Sequence, residues 1–244
     1  FARQRNDDET FTGNILFQEN FEDQTVGDEP SGWGLWVEYQ INPTYNPSLY
    51  DEVINVVNTK SNSGLNALHV VGNASAPRFA TLDISSKVTD KAYIRYYMYS
   101  EERIGGNSSS NNHNHFFALQ NGGDEFRVGE IKGTFGVNEW VSSGDGLFPD
   151  SDQWGPANPS ISAGQWHCVE LALLNDGATP SFEAWIDGTS YLSFSGGAFH
   201  NSTKTDWLDG MFENIILGWH SFGTYSNTLW FDDLIVSDEK IGCQ

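Results

Sequence analysis

"AYIRYYMYS", residues 92–100, decides the fold class. Ile94, Tyr96 and Met98 alternate with Tyr93, Arg95, Tyr97 and Tyr99. A two-residue period puts one set on each side of a strand, whereas a helix would spread both around its axis. Similar short runs recur along the chain: "GNILFQENF" (13–21), "EVINVVN" (52–58), "NALHVVG" (66–72), "FATLDI" (79–84), "HFFALQ" (115–120), "EFRVGEIKG" (125–133), "WHCVELALL" (166–174), "SFEAWIDG" (181–188), "NIILGWH" (214–220) and "LWFDDLIV" (229–236). Gly, Asn, Asp and Ser clusters separate them, and no window of a dozen residues sustains a 3.6-residue period. Many short strands joined by turn chemistry predict an all-β fold, a concanavalin-like antiparallel sandwich of jelly-roll type. With no Pro- or Ser-rich linker, one domain over residues 13–244 is expected, after a flexible acidic N-terminus over residues 1–12.

Charge narrows the partners. Twelve Lys and Arg stand against 33 Asp and Glu, a net charge of −21. Nucleic acid needs clustered cations and is excluded on that ground. The same field disfavours an anionic membrane surface, and no stretch reaches the roughly 18 apolar residues of a spanning helix. An anionic substrate would require the few basic residues to be gathered at its site. Cys168 and Cys243 have no CxxC spacing. They read either as a disulfide pinning the C-terminal tail to a strand, or as a catalytic thiol with no local support. With the sequons at Asn73, Asn107 and Asn201, the disulfide reading suits a secreted, extracellular protein, expected to be a monomer.

Two long polar segments interrupt the strands. "ERIGGNSSSNNHN" (102–114) runs into His115, and "WVSSGDGLFPDSDQWGPANPS" (140–160) carries Trp140, Phe148 and Trp154. Aromatics on a polar loop either plug a sheet edge or form a rim on which sugar rings stack. His113 and His115 have strand spacing, but no third His or Cys lies nearby, so a zinc pair ranks last.

"NFED" (20–23), "SNSGLNALHVVG" (61–72), "NHFFALQ" (114–120), "FRVGE" (126–130), "WHCVELAL" (166–173), "EAWIDG" (183–188) and "GWHSFGTYSNTLWFDDLIVSDEKIGC" (218–243) follow one another in a recognisable order. Together they resemble the secreted fungal cellulose-induced proteins and, more distantly, the glucuronan lyases of polysaccharide lyase family 20, over about residues 15 to 244. The resemblance implies a jelly roll with a cleft across one curved sheet. It implies elimination on acidic, uronic-acid-containing polysaccharides of plant biomass. It also implies a structural Ca²⁺ on Glu22, Ser63, Asn66 and Asp232, a hard-oxygen set of the kind calcium takes.

Removing the C5 proton of a uronate requires neutralising the adjacent carboxylate, a base, and an acid for the departing O4. In "EFRVGEIKG" Phe126 and Val128 read as core, which turns Arg127 outward as the electrostatic residue; the alternative is an ion pair with Glu125 or Glu130. His115 is the candidate base, although simple alternation groups it with Phe117 and Leu119. His220 is a candidate second donor. Tyr225 would serve if a cation lowered its pKa, while the family's tyrosine position falls on Phe222. Arg95, Tyr97, Trp140 and Phe222 are the candidate substrate-binding residues. Two rival readings stand beside the lyase. One is a non-catalytic carbohydrate-binding protein. The other is a glycoside hydrolase, for which Glu125 and Glu130 would need a bulge near Gly129 to share a face.

Overall fold

The computed structural model describes residues 11–38, 53–74, 76–107, 110–140, 151–154, 160–196, 205–223 and 225–243; for Trp140 and 151–154 only the backbone is described. The expected tail lies outside the described residues except for Phe11 and Thr12, and Thr12 hydrogen-bonds Glu239. Among the described residues there is no helix.

Two antiparallel sheets form the sandwich. The first contains β1 (Ile15–Glu19), β3 (Ile54–Val57), β4 (Ala67–Val71), β6 (Lys91–Ser100), β13 (Trp166–Leu174), β14 (Ser181–Ile186), β15 (Thr189–Ser195) and β17 (Thr228–Ser237). Its order is β15-β14-β13-β6-β17-β4-β3, with β1 also pairing β17. The second contains β2 (Gly34–Val37), β5 (Arg78–Asp83), β8 (His113–Asn121), β9 (Asp124–Ile131), β10 (Thr134–Trp140), β11 (Ser151–Trp154) and β16 (Asn214–Ser221), in the order β11-β10-β9-β8-β16-β5-β2. A small pair, β7 (Ile104–Gly105) with β12 (Ser160–Ile161), stands apart.

Alternation explains which faces meet. Ile94, Tyr96 and Met98 of β6 are fully buried, as are Phe117 and Leu119 of β8 and Phe126 and Val128 of β9. Tyr96 stacks on Phe117 across the two sheets at 6.0 Å, and Phe126 meets Phe182 at 5.3 Å. The two inner faces thus pack against each other as in a β-sandwich. The outer face of the β9–β8–β16 sheet therefore carries Arg127. The outer face of the other sheet carries Arg95 and Tyr97, on the far side of the molecule.

Regular alternation fails in β8, beside a register shift of β16 that leaves the alternation of β16 intact. In β8 the register with β9 shifts between His115 and Phe117, so Phe116 is an extra residue. Phe116 drops into the core against Phe135. His115 is thereby turned to the outer face, away from Phe117 and Leu119, which corrects the grouping that simple alternation gives. In β16 the register with β8 shifts between Leu217 and His220. Trp219 is buried and His220 points out. Glycines stand at close backbone approaches beside both register shifts. A Cβ on Gly129 would fall inside the backbone of Asn114 and His115, and one on Gly218 inside the carbonyl of Arg78.

Cys168 and Cys243 are joined, 75 residues apart in sequence. The tail they hold is also gripped by Glu170, whose carboxylate accepts the amides of Ile241 (2.6 Å) and Gly242. Closing so long a loop contributes about 4 kcal/mol in the chain-entropy account. Reduction, or Cys243→Ala, should lower the melting temperature by roughly 10 °C in calorimetry, with the circular dichroism of the folded state unchanged at 25 °C.

Candidate active site

The β8 bulge and the regular alternation of β16 bring an imidazole pair to the outer face of the seven-stranded sheet. His115 lies 5.2 Å from His220 between ring centroids. It stacks on Phe79 of β5 at 4.9 Å, a ring itself covered by Trp36 of β2 at 5.7 Å. Phe79, Ala118 and Ile216 form a small apolar floor beneath them, with Trp36 packed on it. Phe222, 46% exposed, is the hub. Its ring centre is 4.2 Å from His220, 4.9 Å from His113, 5.8 Å from His115 and 5.1 Å from the Arg127 guanidinium carbon.

Burial sets the chemistry of this cluster. His115 is 2% exposed, and neither ring nitrogen has a hydrogen-bond partner among the described residues. Burial holds its pKa well below the ordinary value, and Arg127, His220 and His113 push it further down. His220 is lowered to about 4, again by burial first and then by Arg127 and His113. Both rings are therefore neutral at neutral pH, each able to accept a proton at one nitrogen.

Arg127 is buried and already engaged. Its Nε donates to Glu125, and its Nη1 to Oδ1 of Asn138 on β10 at 3.2 Å. Glu125 also accepts from Gln120. The ion pair with Glu125, the alternative reading of the sequence, is thus present, and it orients the guanidinium on the outer face beside Phe222. Glu130 is not part of this face. The extra residue is in β8, while β9 keeps regular register with β10, so Glu125 and Glu130 stay on opposite sides. Glu130 is 2% exposed, accepts from Asn114 at 2.7 Å, and has its pKa raised by burial. The carboxylate pair of a glycoside hydrolase is not assembled here.

Several candidates lie elsewhere. Tyr225 packs on Trp219 at 5.7 Å and donates its hydroxyl to the Arg103 carbonyl at 2.9 Å. Burial, with Glu130 and Glu102, pushes its pKa up to about 12, the reverse of what an activated tyrosine needs. Arg95 and Tyr97 sit on the opposite outer face, where Arg95 bonds the Gly242 carbonyl. Trp140 ends β10 opposite Glu125, but its side chain, like those of Phe148 and Trp154, lies outside the described residues. Trp36, Phe79 and Asn138 were not singled out from sequence. The alternation in "FATLDI" does place Phe79 opposite Ala80 and Leu82, and so outward. A separate chain, Ser162–His167–Asp187, has triad-like distances of 2.8 and 2.7 Å. Asp187 is 55% exposed, and the same His167 nitrogen faces the Ser162 carbonyl, so the imidazole ties down its own turn.

The expected calcium residues converge around the turn 61–66. Glu22 Oε1 accepts the amides of Leu65 and Asn66, each at 2.8 Å. Asp232 Oδ2 accepts those of Asn62 and Ser63 at 2.8 and 3.1 Å. Asn66 donates to the Phe21 carbonyl, and Asp232, fully buried, has its pKa raised to about 6 by burial. The hard carboxylate and amide oxygens suit calcium in type. With two carboxylates, any ion here would rely on neutral oxygens and water for the rest. Among the described residues no group of three or more His, Cys, Asp or Glu is arranged for a metal.

The family model of the polysaccharide lyase-like group, Cip1-like core domain, matches residues 36–239. The chain belongs to this Cip1-like family. Among solved structures, "Cellulose induced protein, Cip1" is similar over 93% of this chain and 100% of that one, at 20% identity and a TM-score of 0.64. The binding domain of Paraclostridial Mosquitocidal Protein 1 aligns with 94% of this chain at 10% identity and a TM-score of 0.57. The botulinum neurotoxin serotype G binding domain aligns with 94% at 12% identity and a TM-score of 0.50. The chain spans about half the length of these two toxin chains, at 50% and 49%. At such identities the likeness shows a shared fold. No curated protein matches the sequence. Membership ties this Cip1-like chain to carbohydrate chemistry, and no helix among the described residues is long and apolar enough to cross a membrane.

Histidines that are neutral when folded and free to protonate when unfolded make stability fall with pH. Between 6.5 and about 4 the unfolded chain binds the proton that folded His220 refuses, so unfolding becomes easier as pH drops through that window. Through this group the melting temperature of the native Cip1-like chain should fall from pH 7 to 4. It should fall less for His220→Gln.

Proposed function

We propose that this protein is a secreted polysaccharide lyase that cleaves a uronic-acid-containing, glucuronan-like polymer by β-elimination. One observation carries the reading. Around the exposed Phe222 ring stand a fixed guanidinium and a buried imidazole whose two nitrogens have no partner among the described residues. A buried polar group without a partner is uncommon in a native fold and points to a ligand or a reacting proton.

In this reading the sugar ring lies against Phe222, its apolar face on the aromatic ring. Arg127 meets the uronate carboxylate and stabilises the enolate-like charge that develops when C5 loses its proton. Glu125 and Asn138 keep the guanidinium in place. His115 takes the C5 proton at its free nitrogen. A carboxylate brought close would raise the basicity of that imidazole, offsetting the lowering that burial imposes. The electrons released at C5 form the C4–C5 double bond, and the C4–O4 bond breaks. The proton that O4 receives is the one His115 has just taken, handed on by its imidazolium directly or through the neutral His220 ring, 5.2 Å away, in place of the tyrosine that Phe222 replaces. A second reading is favoured by one specific observation. Glu125 already neutralises Arg127. A non-catalytic carbohydrate-binding protein would keep the same face without turnover. The disulfide suits the oxidising surroundings of a secreted protein.

The test is a screen of glucuronan, alginate, pectate and ulvan, read by ultraviolet absorbance of the unsaturated product. Absorbance with a uronate polymer supports elimination, and retention on a polysaccharide gel without product supports the second reading. Given activity, Arg127→Ala should remove about 2–4 kcal/mol of transition-state stabilisation, the size of a preorganised donor. Arg127→Lys should lose part of that, because an ammonium cannot meet a carboxylate with two parallel bonds. His115→Ala should abolish turnover while leaving the calcium response described next unchanged.

Calcium is proposed as structural, held by Glu22, Asn66, Asp232 and the Ser63 carbonyl. The amide bonds already close this junction, so the ion would reinforce it without creating it. Chelator should lower the melting temperature by a few degrees without unfolding the protein at 25 °C, and added Ca²⁺ should restore it. An unchanged curve with no calcium by elemental analysis removes the ion from the account.

A further inference from the structure

On the outer face opposite the histidine cluster, a cavity of about 460 Å³ is lined by Gln18, Glu19, Asp23, Gln24, Arg95 and Asp233, among others. Register places its floor. Gln18 of β1 pairs with Ile235 of β17, and Ile235 pairs with Arg95 of β6, so the three form one row across the sheet. Arg95 is 9% exposed. Its Nη1 reaches the Gly242 carbonyl at 3.3 Å, while its Nε is buried with no hydrogen-bond partner among the described residues. A buried donor of a permanently charged group, left unpaired at the wall of an open cavity, calls for a ligand acceptor.

The walls are held in advance. Glu19 accepts from the Phe21 amide at 2.7 Å and from the Gln24 side chain at 2.9 Å. Asp233 accepts from Ser63 at 2.7 Å and Asn62 at 2.8 Å. These bonds fix the carboxylates in place before any ligand arrives. The charges then select the ligand. Three carboxylates, Glu19, Asp23 and Asp233, repel an anion, and the Arg95 guanidinium at the floor repels an organic cation. Carboxylate acceptors beside guanidinium and amide donors suit groups that both donate and accept, which is what hydroxyls do.

We infer that this cavity is a second carbohydrate site, binding a short neutral saccharide through its hydroxyls. The choice of saccharide over another polyol rests on the carbohydrate reading of the family; the cavity and its selectivity do not depend on elimination in the cleft. The site would hold a neutral chain or branch while the opposite face meets the uronate. The two sites therefore fail separately: loss of product formation leaves this one standing, and loss of this one leaves elimination standing.

The experiment is calorimetric titration of the full chain in the Arg127→Ala background, which disables the cleft. Cellobiose and xylobiose serve as probes, with digalacturonate as the anionic control. At least one neutral disaccharide should bind saturably, and digalacturonate should bind at least about tenfold more weakly. Arg95→Gln should weaken the neutral disaccharide by at least about tenfold. Gln18→Trp, at an exposed position, should block the cavity with no change in melting temperature, and it decides the matter if Arg95→Gln does not fold. The inference is overturned if neither neutral disaccharide saturates, if digalacturonate binds as tightly, or if Gln18→Trp leaves binding intact.

Discussion

The candidate site depends on one close approach of backbone to backbone, Gly129 of β9 against Asn114 and His115 of β8. Any side chain at 129 would collide with that backbone. Because the position is glycine, β8 can carry the extra Phe116, and the alternation of every residue N-terminal to it is reversed. Phe116 fills the core, His115 turns to the outer face, and Asn114 is sent inward to meet Glu130. β16 keeps its own alternation, with Leu217 and Trp219 inward and His220 outward, and its register shift against β8 sets His220 opposite His115. Without the extra Phe116, His115 would be buried between the sheets with Phe117.

Burial of that imidazole pair then governs its chemistry. Arg127 is a cation in a chain with an excess of acid, and Glu125 and Asn138 hold it where it contacts Phe222. Its field and the loss of water both favour neutral rings at His115 and His220. A site of this kind is poised to respond to an arriving carboxylate, because the same low-dielectric surroundings that suppress protonation strengthen any new charge pairing. The opposite sheet is organised differently. There Asp232 and Glu22 gather the amides of one turn, and the tail is fixed by Glu170 and the disulfide, so that the chain ends are tied to the central strands β17 and β13.

Much of this was readable in the sequence, for physical reasons specific to each element. The two-residue period of β6 and β9 identified their buried faces, since Ile94, Tyr96, Met98, Phe126 and Val128 have no alternative to the core. The outward turn of Arg127 followed from the same period. His115 was legible only through resemblance, because a bulge leaves no mark on local alternation: "HNHFF" reads equally well in either register, and the glycine that permits the shift is on the neighbouring strand. Arg95 and Tyr97 were drawn to the wrong sheet for a related reason. Alternation tells which side of its own strand a residue occupies, but not which of two sheets the strand joins. Trp36 and Phe79 come from strands distant in sequence, and only the pairing of β5 with β16 and β2 brings them under the histidines.

The central claim is that the bulge places His115 on the outer face as a buried, neutral imidazole without a partner among the described residues. Nitrogen-detected NMR of the histidine rings across a pH titration tests it most directly. The account predicts that His115 stays neutral well below the ordinary histidine range, and that its ring resonances shift when oligoglucuronate is added to the native chain but not to Arg127→Ala. A His115 ring that titrates near 6.5 like a solvated side chain, and is indifferent to the oligosaccharide, would contradict it.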